Sequence, residues 1–434
     1  MKKRISLLFV VVAIVVCLAV LTPAGQARDL TKMGLKSSYN LGGNTVTYIS
    51  WTAERIQKNL NEDPKLRGRI QEAEKKFNCK LDFLQTRDTP ETNMARLMAG
   101  DSTYDVWNSQ TRIGYYELVS EGAAYPMDKV LSKKFYEGLS HMEQESIKIL
   151  EYRGKTYGIG ATHWGAGLWN TASMVTFYNK ALLEREGLPD PYKLYKENKW
   201  TWDKADEIVR KATKDTNGDG EIDQFGIGRV RPYALTVANG GATTRNDKSG
   251  RPIFTLDERP ALEAIQLYAD WKQIGAVAGD KFKDGNVALD MHYVGTAEKY
   301  MQMKDDWGIV PMPIGPRAKK YVYPHWSPEV AIVPVNSKNP EAMAALNAFL
   351  FREDDVPLNL VLARHVRNRE SAEVFMRIQK EWAGESKYLY EAFGEKIVEA
   401  TIKEIINGDK TPAVGMAEIK PIVQGMIDDF FNKK

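Results

Sequence analysis

Residues 174–191 read MVTFYNKALLEREGLPDP, and residues 200–228 read WTWDKADEIVRKATKDTNGDGEIDQFGIG. Met174 to Tyr178 is an apolar strand. Asn179 caps a helix that runs through Glu186, and Gly187 with Pro189 closes it. Thr201 caps a second helix whose buried face takes in Ala205, Val209 and Ala212. An acidic, glycine-rich loop follows, and the chain leaves through another strand. Strand, helix, helix, loop, strand belongs to a layered α/β fold. The stretch carries no catalytic signature.

Within DTNGDGEID, Asp215, Asn217, Asp219, Glu221 and Asp223 fall at alternate places. That spacing aims several oxygen ligands at one point, and Gly220 allows the sharp turn, as in calcium loops. Position twelve, where an EF-hand has its bidentate glutamate, is Gly226. The loop is therefore an incomplete EF-hand, and a structural calcium ion needs a ligand from elsewhere. An Asx-rich turn without metal is the other reading. No cofactor is required.

Upstream, Thr45 to Ser50 alternates as a strand, and Leu66, Ile70, Ala73 and Phe77 recur at helical spacing after Pro64. Cys79 to Leu84 is the next strand and Asn93 to Ala99 a short helix. Tyr104 to Asn108 is a third strand, with a helix at Tyr115 to Ser120. This alternation argues for a parallel, doubly wound sheet. Ligands of such sheets sit beyond the carboxyl ends of the strands. The chain places Trp51 and Thr52 after the first strand, and Asn108, Ser109 and Gln110 at the end of the third. An exposed Trp beside amides suits a ligand with an apolar and a hydroxylated face. The alternative is that Trp51 caps the core.

Gly154-Lys155-Thr156 lacks the upstream glycine of a phosphate loop, whose place is Ile149. Gly165-Ala166-Gly167 lacks the third glycine of a dinucleotide fingerprint. The segment instead presents His163, Trp164 and Trp169. Downstream, Pro260 opens a helix ending at Gly275, and Val287 to Met291 is a strand followed by His292 and Tyr293. Trp307 starts a strand that leaves through proline turns. Trp326 precedes the apolar strand Glu329 to Val335, and the remainder is mainly helical as far as Phe431.

The ends and the charge set the compartment. Lys2, Lys3 and Arg4 precede the apolar run Ile5 to Leu21, and Gly25 and Ala27 follow, in the order of a secretory signal peptide cleaved after residue 27. An uncleaved anchor is the alternative, which Pro23, Gly25 and Ala27 disfavour. The chain has 60 basic and 57 acidic residues, and losing Lys2, Lys3 and Arg4 balances them. Nucleic-acid binding gains no electrostatic support. Val16 before Cys17 argues against a lipid anchor. Cys79 is then the one cysteine left, so no disulfide forms within the mature chain.

Several phrases in order resemble the family 1 extracellular solute-binding proteins of ABC importers, the group that includes maltose-binding protein. They are TYDVWN at 103–108, RGKTYGIG at 153–160, TFYNKALLEREGLPDP at 176–191 and TWDKADEIVRKAT at 201–213. DTNGDGEIDQFGIG at 215–228, GNVALDMHYVGTAEKY at 285–300, AIVPVNSKNPEAMAALNAFLF at 331–351 and INGDKTPAVGMAEI at 406–419 complete them. The resemblance implies a two-lobed α/β fold, each lobe a doubly wound sheet, joined by hinge segments. It puts residues 28–173 and 331–368 in one lobe and 174–330 and 369–434 in the other. Crossings are expected near Ser173–Tyr178, Ala331–Val335 and Arg364–Arg369.

By the same resemblance the ligand is a carbohydrate held between the lobes by Trp51, Trp164, Trp169, Tyr293 and Trp326 with Asn108, Gln110, Asp290 and His292. It implies a monomer that circulates in the periplasm and delivers its ligand to an ABC permease. A binder of a non-sugar solute and a secreted glycosidase with paired carboxylates remain as alternatives. The chain has no G-x-S-x-G elbow, no H-E-x-x-H helix and no C-x-x-C pair.

Overall fold

The computed structural model describes residues 29–50, 53–62, 64–86, 89–110, 114–139, 144, 147, 150–161, 173–324, 329–350, 358–383 and 393–432. The expected signal peptide lies outside them. Among the described residues, no helix is long and apolar enough to cross a membrane.

Nine strands build two principal sheets. In chain order they are β1 (Thr45–Ser50), β2 (Lys80–Gln85), β3 (Val106–Gln110), β4 (Gly158–Ala161), β5 (Met174–Asn179), β6 (Phe225–Ile227), β7 (Val287–Tyr293), β8 (Trp307–Val310) and β9 (Glu329–Ile332). The first sheet has the order β2-β1-β3-β9-β4 and the second β8-β5-β7-β6.

In the first sheet β2, β1 and β3 are parallel, with Val46 opposite Leu81 and Tyr48 opposite Val106. Helices α1 (Ala53–Glu62), α2 (Pro64–Phe77), α3 (Pro90–Met98) and α4 (Tyr115–Ser120) connect or follow these strands. The apolar stripe of α2 delivers Ala73 and Phe77 to the core. Helix α1 is one of the elements that periodicity misses, since only Ile56 and Leu60 mark its apolar face. Thr89 caps α3 by accepting from the amide of Thr92. Cys79 is buried in this core just before β2, and burial pushes its thiol up to about 11.

Each sheet departs from the all-parallel expectation at one interior strand. β9 runs antiparallel to both β3 and β4, and β5 antiparallel to both β7 and β8. All six residues of β5 are buried, as a strand covered on both faces requires. Asn179 caps the following helix, α5 (Lys180–Arg185), and Thr201 caps α6 (Trp202–Ala212). Ala205, Ile208, Val209 and Ala212 of α6 enter the second core.

The expected crossings need correction. Ser173–Tyr178 is largely the interior of the second sheet, with Met174 opposite Tyr293, while Glu329 and Val330 already pair in the first. Two of the expected crossings are thus largely paired strand residues, and the chain between Ala161 and Ser173 and between Pro324 and Glu329 lies outside the described residues. Helix α8 (Pro340–Leu350) packs in the first core, but Leu362 and Val366 pack against the second. Helix α9 (Leu358–His365), expected in the first lobe, thus sits with the second. Hydrogen-bond partners decide these points, and a strand's own sequence does not name its partners.

Helix α10 (Arg369–Glu381) adds Val374, Phe375 and Ile378 to the second core. Helix α7 (Arg259–Gln273) is covered on two sides. Ala264 and Trp271 face the second core, while Ala261, Ile265 and Ala269 meet α11 (Glu395–Asn407) and α12 (Pro412–Asn432). The far end of α12 reaches the first lobe. Phe430 sits against Tyr116 and Tyr152, at ring distances of 6.0 and 5.1 Å. Tyr152 Oη donates to the Phe430 carbonyl at 3.1 Å, and Arg153 donates to that of Phe431 at 3.0 and 2.8 Å. The tail expected wholly with the second lobe is therefore tied to both. Phe430→Ala should cost about 3 kcal/mol in urea unfolding, as for a buried aromatic. A change near zero would mean that the helix end is not anchored.

Candidate functional site

The strands present two edges. In the first sheet, Ser50, Gln110 and Ala161 end β1, β3 and β4, and Glu329, which begins β9, lies opposite both Gln110 and Ala161. The chain continues from these ends into 51–52, 111–113, 162–172 and 325–328. Trp51, Trp164, Trp169 and Trp326 lie there, outside the described residues, as does the side chain of Gln110. Asn108 is buried one turn of the pleat earlier, and its Nδ2 donates to Ser50 Oγ at 3.2 Å. That bond joins the ends of β1 and β3 and fixes the edge beside Trp51.

In the second sheet the corresponding edge is the start of β5 and the ends of β6, β7 and β8. Tyr293 closes β7 opposite Met174, half-buried, with its ring 4.4 Å from that of His292. His292 is buried, and its Nδ1 lies 2.8 Å from Thr296 Oγ1. Burial, with the positive charges of Arg229, Arg231 and Lys299, lowers the His292 imidazole to about 2. It is therefore neutral at every physiological pH.

Asp290, named above for the ligand, is held inside the second sheet. It is fully buried in β7, and its carboxylate accepts from the Arg229 amide at 2.6 Å, Arg229 Nη2 at 2.8 Å and Tyr300 Oη at 2.6 Å. Burial pushes this carboxyl upward against the pull of Arg229. Arg229 also reaches Asp280 at 3.2 Å. The approach is so close that a Cβ at Gly228 would stand 2.6 Å from Asp290 Oδ1, which is why glycine precedes the arginine. Arg229 and Arg231, just past the end of β6, are the edge residues that sequence reading missed. Their signal was the pair of arginines between a strand end and Pro232.

The acidic loop is organised around its own backbone. Asp215 Oδ1 accepts from the amides of Asn217 and Gly218 at 3.0 and 2.6 Å, and its Oδ2 from Gly220 at 2.7 Å. The Gly220 and Gly218 amides hold the Asp215 carboxyl below its ordinary range. Asn217 accepts from the amide of Asp219, Asp219 from that of Glu221, and Asp223 from Thr216. Among the described residues, no three His, Cys, Asp or Glu side chains are grouped to hold a metal ion.

A model of the bacterial extracellular solute-binding protein family matches residues 71–356. No curated protein matches the chain. Among solved structures, it is similar to an ABC substrate-binding protein of Listeria monocytogenes in complex with cycloalternan. The TM-score is 0.63 and the identity 15%, over 90% of this chain and 100% of that one. The GacH receptor of Streptomyces glaucescens, studied with acarbose, gives 0.62 at 16% identity over 89% and 99%. UgpB of Mycobacterium tuberculosis, in complex with glycerophosphocholine, gives 0.62 at 18% identity over 89% and 99%. At these identities the likeness is one of fold, a two-lobed α/β architecture.

The buried histidine gives the edge a pH signature. Between about pH 6.5 and pH 2 the unfolded chain protonates this imidazole while the folded protein keeps it neutral. The unfolded state then binds more protons, so stability falls with pH by up to about 1.4 kcal/mol per unit. Urea unfolding at about pH 7 and about pH 5 should show His292→Gln spared about 2 kcal/mol of the acid loss seen in the unmutated protein. Equal acid losses would contradict the neutral, buried imidazole.

Proposed function

The chain belongs to the bacterial extracellular solute-binding proteins, and from that premise we propose that it captures a carbohydrate between its two lobes for an ABC permease. The observation that carries this reading is the pair of strand edges, each beside one inverted interior strand, with four tryptophans in the segments that leave the first edge. A pyranose offers an apolar C–H face to an indole and hydroxyls to amides, which is the chemistry of Trp51 with the Asn108–Gln110 strand end. The complexes of the Listeria and Streptomyces proteins with cycloalternan and acarbose support a sugar.

Binding alone is the activity. A ligand touching both edges binds the closed arrangement better than the open one and shifts the population toward closure. Asp290 and His292 act from behind, since the one is spent on Arg229 and the other is held neutral by burial. The protein is a periplasmic monomer in this reading, and the signal-like first 27 residues support export. A phosphorylated polyol is the second reading. Arg231, just past the end of β6, favours it, as does the glycerophosphocholine complex of UgpB.

Titration with neutral oligosaccharides, followed by Trp fluorescence and by mass spectrometry for products, tests the proposal. One sugar should bind without turnover, and Trp51→Ala should weaken it about tenfold, the worth of one aromatic platform. Turnover would make the protein an enzyme, and silence from every sugar would favour the phosphorylated ligand. For the acidic loop, a chelator should leave the melting temperature unchanged. A calcium-dependent rise would show that the carboxylates can leave their amides for a metal.

A further inference from the structure

The second lobe holds a cavity of about 610 Å³ on its flank, where the short helix Pro191–Lys196, the loop before Tyr321 and helix α10 meet. Its size is that of a small-molecule site. Two tyrosines, Tyr195 and Tyr321, and four cations, Lys196, Lys319, Lys320 and Arg377, are among its lining residues, and no acidic side chain is.

The floor is rigid. Tyr195 and Tyr321 meet edge to face at 5.1 Å, the Trp200 amide donates to Tyr321 Oη at 3.1 Å, and Arg377 Nη1 donates to Tyr195 Oη at 2.8 Å. Helix α10 therefore holds its arginine in place through a hydrogen bond to a neutral phenol. Glu373 neutralises one cation, Lys196, at 2.6 Å. Lys319 and Lys320 are exposed and have no hydrogen-bond or ion-pair partner among the described residues. Two positive charges, Lys319 and Lys320, thus remain beside the cavity, and Arg377, which Glu373 also attracts, stands on its wall.

We propose that this cavity is a second binding site, for a small hydroxylated solute that carries an oxyanion. The lysines and Arg377 recognise a carboxylate or phosphate by charge-assisted hydrogen bonds, and the tyrosines form a wall for the body of the solute. The site is independent of the sugar between the lobes, because none of its residues belongs to either strand edge.

Calorimetry with glucuronate, glucose 6-phosphate and neutral glucose tests the proposal on the mature chain and on its Lys319→Ser/Lys320→Ser variant. At least one of the anionic solutes should bind, more weakly as salt is added, while glucose should not displace it. Which of the two binds separates a carboxylate ligand from a phosphate one. The double substitution should weaken that binding about tenfold, the scale of one or two lost charge-assisted bonds. The melting temperature and the affinity for the neutral oligosaccharide should stay as they were. The inference is overturned if neither anion binds, or if binding is the same in the variant.

Discussion

Strand β5 is buried along its whole length between β7 and β8, and it runs against both. A strand so placed cannot alternate apolar and polar residues, because neither face meets water. Phe177 lies against Tyr300, just beyond the turn after β7, at 5.1 Å and against Trp307 of β8 at 5.7 Å, so one aromatic cluster ties the strand to both sides. Each such ring contributes about 2 kcal/mol through burial alone. At the strand's end Asn179 accepts from the amide of Leu182 at 3.0 Å and donates to Asp305 Oδ2 at 2.8 Å and Gly285 O at 3.1 Å. One side chain thus ends the strand, starts α5 and ties the loops on either side.

The insertion of β5 has its counterpart in β9. The chain enters the second sheet as an inverted interior strand and re-enters the first in the same way. Both inversions set the start of the inverted strand at the edge where its neighbours end. Helix α12 adds a limit, since its body packs with the second lobe and Phe430 with the first. Any change in the angle between the lobes has to accommodate that anchor.

Much of this was legible where local chemistry is decisive. β1 and α4 appear at the residues expected, and the caps at Asn179 and Thr201 are formed as read. The α/β class follows from strand and helix alternation, and the two lobes from the family resemblance. What sequence does not carry is partnership. Asp290 was named for the ligand by family resemblance alone, and its partner Arg229 lies 61 positions away. The acidic loop has oxygens at the spacing of a metal site, and the same spacing lets them accept from amides two to five residues on. The crossings were displaced for a related reason, since β5 and β9 read as strands in either lobe.

The central claim is that ligand bridges two lobes and draws them together. Small-angle X-ray scattering on the mature protein, without ligand and at a saturating concentration of whichever oligosaccharide binds, tests it directly. The radius of gyration should fall on saturation. An unchanged radius with binding confirmed by calorimetry on the same sample would contradict closure and place the sugar on a single lobe.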